Sequence, residues 1–146
     1  MKKLFFIAIF ALILSVFYFL LNQNISKKEP HINTLKPLAC DLNFKDCAYQ
    51  FKGKQILISL DPKPIKSLQN TKLLIKNLGM YKNLELKIYG LNMFMGEIKP
   101  KIYQINKTDY ESQFILSSCF MHTMRFRAEL LENNKSIFYF DFDLKR

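Results

Sequence analysis

The run SIFYFDFDL, Ser136 to Leu144, narrows the possible folds more than any other part of the chain. Phe138, Phe140, Phe142 and Leu144 occupy one set of alternate positions, expected inward, and Asp141 and Asp143 the other, expected outward as singly placed solvated acids. A period of two belongs to a strand with one buried face; a helix would scatter the same residues around its circumference. Shorter runs repeat the signal. AYQF and QILISL flank KGK, NLELKIYG alternates Leu84, Leu86 and Ile88 with Glu85, Lys87 and Tyr89, and MRFRAELL precedes the turn ENNK. EIKPKIYQI and YESQFIL flank NKTD, and IKSLQNTKLLIKNL follows DPKP. Seven or eight such strands separated by turn residues predict an all-β, immunoglobulin-like antiparallel β-sandwich. The phenylalanines and tyrosines of these runs are then expected to fill the space between its sheets.

Strand direction carries a consequence for two unusual loops. With eight runs counted from Ala48–Phe51 to Ser136–Leu144, the fourth and sixth run the same way if directions alternate. GLNMFMG (90–96) follows the fourth and SSCFMHT (117–123) follows the sixth, so both are expected at one pole. NKTD and ENNK are expected at the other.

The N-terminus has a different character. After Lys2 and Lys3 the chain runs LFFIAIFALILSVFYFLL, Leu4 to Leu21, without a charge. Eighteen helical residues rise about 27 Å, close to the hydrocarbon thickness of a bilayer. A cleaved signal peptide is the competing reading, but its small-residue cleavage pattern is missing from FYFLLNQN. A retained anchor over residues 1–21 is therefore expected. The leading lysines place residues 22–146 outside a bacterial inner membrane, in the periplasm. Residues 22–39 read as a flexible tether, and residues 40–146 as one domain.

Without Lys2 and Lys3 the chain keeps twenty Lys and Arg against 12 Asp and Glu. These cations are scattered, which argues for a solvated surface and against a nucleic-acid groove. Behind an anchor, such a surplus suits anionic lipid or an acidic protein partner. Three cysteines in an oxidising compartment predict one disulfide and one remaining thiol. Cys40 and Cys47 bracket DLNFKD and are expected to pair, contributing about 2–3 kcal/mol by closing the loop. Cys119 is left over.

The sulfur-bearing side chains converge on the pole where Cys119 lies. In an extended segment Met93 and Met95 project to one side, about 7 Å apart at the backbone. Cys119 adds a thiolate and Met124 a further thioether, with Met121 and His122 as auxiliary donors. Thioether and thiolate donors select a soft ion, and Cu(I) fits best. Zinc favours Cys, His and carboxylate, and haem attachment would need C-x-x-C-H, which is absent. The competing reading treats the same methionines as an adaptable apolar docking surface of an interaction subunit in an inner-membrane complex. A weaker third reading, thiol redox chemistry at Cys119, has no resolving cysteine nearby.

Together CDLNFKDC, GLNMFMG and C-x4-M-R-F resemble a family of small membrane-anchored periplasmic proteins of Gram-negative bacteria. The family pattern is C-D-L-x4-C, G-[VLM]-[DN]-M-x-M-G and C-x4-M-x-W. Cys40, Cys47, Met93, Met95, Cys119 and Met124 fall on matching positions, and Phe126 stands where the family has Trp. Some members are associated with Sco-type copper chaperones and oxidase assembly factors. The resemblance covers residues 40–126 and implies copper association, with a cuproprotein or copper chaperone as partner.

No G-x-S-x-G, C-x-x-C or phosphate-cradling loop is present, and the two histidines, His31 and His122, stand apart. The expectation is a protein that is not an enzyme and that takes no nucleic acid and no small-molecule substrate.

Overall fold

The computed structural model describes residues 36–119 and 121–145, together with Leu12, Leu14, Ser15 and Tyr18. The chain divides into two units, Met1–Pro30 and His31–Arg146. Of the first, the four described residues are helical. Most of the expected anchor and of the tether falls outside the described residues. Among the described residues no helix is long and apolar enough to cross a membrane.

The described residues of the second unit form nine strands: β1 (Cys47–Phe51), β2 (Lys54–Asp61), β3 (Asn70–Lys76), β4 (Leu84–Gly90), β5 (Glu97–Ile98), β6 (Ile102–Gln104), β7 (Tyr110–Ile115), β8 (Thr123–Glu132) and β9 (Lys135–Lys145). They form a five-stranded sheet, ordered β1-β2-β3-β7-β6, and a four-stranded sheet, ordered β5-β4-β8-β9. Every pairing is antiparallel. The expected all-β sandwich is thus observed as two antiparallel sheets.

One expected strand, 97–105, is divided. β5 pairs with β4 in one sheet and β6 with β7 in the other. Between them lies Lys99-Pro100-Lys101, where proline has no N–H to give a ladder and lets the chain cross over. The two pieces run in one direction, so the alternation of strand directions survives the split.

The core takes one face from each sheet. Ile56, Ile58, Leu60, Leu73 and Ile75 from one meet Leu86, Ile88, Leu130, Phe140 and Phe142 from the other, all buried. Each such side chain contributes roughly 1.5–3 kcal/mol on leaving water. Phe138, Phe140 and Phe142 form a ladder along β9, with ring centroids 6.3 and 6.1 Å apart. Phe126 stacks on Phe142 at 5.8 Å, so this position is filled by an aromatic pair inside the core.

The outward set on β9 differs from expectation. Asp143 is 8% exposed and Arg125 7%, and the two form a bidentate pair at 2.8 and 3.0 Å. Asp141 pairs likewise with Arg127, whose guanidinium also lies 4.1 Å from the Tyr139 ring centroid. These carboxylates are ion-paired partners in a cross-strand ladder instead of singly solvated groups.

The candidate metal pole

β4 ends at Gly90 in the first residue of GLNMFMG. A Cβ at Gly90 would overlap the Met93 carbonyl oxygen, so the tight return of the loop requires glycine here. Leu91 N–H then donates to Arg125 C=O at 2.8 Å. Asn92 continues the ladder with its side chain. Its Oδ1 accepts from Arg125 N–H at 2.9 Å, and its Nδ2 donates to Thr123 C=O at 2.9 Å. One carboxamide thus does what a strand backbone would do for the start of β8. Met93 is half-buried against the core, while Phe94 (53%) and Met95 (42%) are exposed. Gly96, at φ +87°, turns the chain into β5.

The second segment leaves β7 at the same end. Leu116 C=O accepts from Leu68 N–H at 2.8 Å, and Ser118 N–H donates to Ser67 Oγ at 3.0 Å, tying it to the β2–β3 loop. Cys119 is unpaired and half-buried, and its N–H points at Met124 Sδ, 3.1 Å away. Met121 is also half-buried, and its Sδ lies 3.9 Å from Asn92 Nδ2. His122 is exposed, and Phe120 lies outside the described residues.

Both segments therefore meet at one pole, as strand direction predicts. Met93, Cys119 and Met121 share partial burial against the core, and Met95 stands at the rim. Met124 differs from expectation in its surroundings: it is 0% exposed, and its sulfur already accepts the Cys119 amide proton. Among the described residues no group of three or more His, Cys, Asp and Glu could hold a metal ion. A metal at this pole would depend on thioethers and one thiol, a donor set that suits Cu(I) and disfavours zinc, calcium or magnesium.

The Cys40–Cys47 disulfide is present, with Cα atoms 5.9 Å apart. Between the cysteines a polar residue not singled out from the sequence closes the pole. Asn43 is buried, donates to Asp143 C=O at 2.8 Å and accepts from Ile65 N–H at 3.0 Å. It links the disulfide loop, the β2–β3 loop and the end of β9. Arg125 N–H and the Arg125 side chain are likewise committed, and hydrogen bonding to Asp143 holds that guanidinium above its usual value.

The signal for Asn43 and Asn92 is their placement inside the two motifs, where a turn-forming side chain can replace backbone partners. A comparison of the chain with known protein families, with curated proteins and with solved structures finds no match.

Proposed function

We propose that this chain is a non-catalytic Cu(I)-binding protein of the periplasm, held at the inner membrane by residues 1–21, that passes copper to a cuproprotein or copper-chaperone partner. One observation carries the reading. Asn92 reaches from the loop bearing Met93 and Met95 to Thr123 C=O and Met121 Sδ, joining the two sulfur-bearing segments. Cys119, Met93, Met95 and Met121 are the accessible donors, and copper is cargo bound among them. Met124 stands behind Cys119, with its sulfur orienting that residue's amide.

The strand order supports an immunoglobulin-like topology within the sandwich. β2-β3-β7-β6 corresponds to the A-B-E-D order of such domains, and β9-β8-β4-β5 to the G-F-C sheet with one added strand. β1 extends the first sheet.

A second reading, a docking surface for a membrane complex, is favoured by the exposure of Phe94 between the two methionines. Met→Leu nearly conserves volume and removes the thioether, usually costing under about 1.5 kcal/mol. A Met93→Leu, Met95→Leu double variant should stay folded and lose Cu(I) affinity in competition assays. Unchanged affinity would rule out the copper site and leave the docking reading.

A further inference from the structure

We infer that the sulfur-bearing pole is also the face by which the domain lies on an anionic lipid bilayer. This rests on reading residues 4–21 as a membrane anchor, and it is independent of copper.

Three separate loops of this pole each thrust an apolar side chain into solvent. Phe44, between the paired cysteines, is 76% exposed; Leu68, between β2 and β3, is 76% exposed; Phe94, between β4 and β5, is 53% exposed. Leu68 is the most telling. It is held at φ +59°, a conformation that disfavours a side chain, by the bond from its N–H to Leu116 C=O. At the opposite pole the turns are asparagine-rich, with Asn77, Asn83, Asn106, Asn133 and Asn134; Met80 (75%) and Ile105 (53%) are exposed there, but among the described residues no phenylalanine is.

The charges around these tips suit a negative surface. Exposed Lys45 follows Phe44, exposed Lys66 precedes Leu68, and Lys145 Nζ lies 5.2 Å from the Phe44 ring centroid. The acids of the disulfide loop are neutralised: Asp41 by Lys145 and Asp46 by Lys63, both at 2.7 Å. Phe44 and Leu68, apolar tips flanked by lysines, match the interfacial pattern, in which apolar side chains enter the headgroup boundary and ammonium groups stay at the phosphates; the Phe94 loop, 90–96, is uncharged.

Chain connectivity places a bilayer within reach. The domain begins at this pole, where Cys40 is bonded to Cys47 at the start of β1. Only residues 22–35 separate the apolar run from Lys36, and fully extended they span at most about 50 Å.

The chain contains no tryptophan, so one introduced indole reports alone. Full-length protein carrying Phe94→Trp, Leu68→Trp or, as control, Ile105→Trp at the far pole is reconstituted into vesicles of phosphatidylcholine and phosphatidylglycerol. Lipids brominated on the acyl chains then serve as quenchers. Phe94→Trp and Leu68→Trp should show blue-shifted emission and about twofold or more quenching, with Ile105→Trp little affected. Quenching of both pole reporters no greater than the control would overturn the inference and point to a protein partner. Equal quenching in pure phosphatidylcholine would overturn its electrostatic half. Carbonate extraction tests the anchor separately: retained protein with unquenched pole reporters sinks this inference alone, whereas released protein sinks the anchor.

Discussion

The side-chain oxygen of Asn92 accepts the backbone proton of Arg125 at 2.9 Å, thirty-three residues further along the chain. With Nδ2 on Thr123 C=O, it closes two backbone groups at the start of β8 that no strand reaches. Asn92→Ala should therefore leave a buried N–H unpaired, costing roughly 1–3 kcal/mol, and a part-buried C=O, costing less. Asn92→Asp keeps the acceptor and loses the donor, and should fall between. Urea denaturation gives the order, and hydrogen exchange at the Arg125 amide should quicken in Asn92→Ala and stay protected in Asn92→Asp, which keeps its acceptor. Wild-type protection in Asn92→Ala would show that the bond is incidental.

Gly90→Ala tests the return of the same loop. The added methyl meets the Met93 carbonyl, which is backbone and cannot rotate away. Overpacking of this kind costs about 1–3 kcal/mol, and relief would displace Met93. A melting temperature equal to wild type would contradict that geometry.

Arg125 and Asp143 form the least exposed ion pair among the described residues. Arg125→Met alone should destabilise by about 3–5 kcal/mol, because Asp143 keeps its charge without its partner. Replacing both, Arg125→Met with Asp143→Leu, should recover much of the loss, since paired burial of charge gains little over apolar packing. A double-mutant cycle decides it. Additive losses would mean that the two side chains do not act as a pair.

That pair also marks how far the sequence could be read. The alternation in β9 gave the strand, its buried face and the pole of each loop, because period two is a local property. Register is not local. The turn at Asn133 and Asn134, both at positive φ, pairs Glu132 with Lys135 and Leu131 with Ser136. Continued unchanged, that register would set Arg125 opposite Phe142. A bulge at Leu130/Leu131 shifts it by one residue and brings Arg125 to Asp143 and Arg127 to Asp141. Without that bulge in view, the two aspartates read as solvated. The burial of Met124, by contrast, is a local matter: a side chain in a strand is inward or outward by parity, and its parity matches Phe126 and Ala128, which are buried. Asn43 and Asn92 bond to partners that only the folded chain brings near.

Acid should weaken the domain through identifiable carboxylates. Hydrogen bonds from Lys63 and Ser59 hold Asp46 below its ordinary value of 3.8, and those from Asn77 N–H and Asn106 hold Asp109 below it too. A depressed folded value means that the contribution is complete above the unfolded value and is lost as pH falls through the folded one. Stability should thus decline below about pH 4, and Asp46→Asn and Asp109→Asn should each flatten the decline. An unchanged acid limb in the double variant would assign the loss to other groups.

The last prediction separates the two thioethers that lie just beyond Cys119 in sequence. Met121 is half-buried, and its sulfur accepts only a long contact from the Asn92 amide, at 3.9 Å, among the described residues, so it can turn to an ion without breaking a strong bond. Met124 is fully buried and holds the Cys119 N–H at 3.1 Å, so its sulfur would have to abandon that donor to bind metal. Met121→Leu should lower Cu(I) affinity and leave stability within about 1.5 kcal/mol of wild type. Met124→Leu should do the reverse: it leaves the Cys119 amide without its acceptor, lowers the melting temperature, and spares most of the affinity. Competition with a Cu(I) chelator and thermal melts on the two variants give both quantities. If Met124→Leu abolishes copper binding while Met121→Leu does not, Met124 is the ligand and the core end of the pole opens to admit the ion.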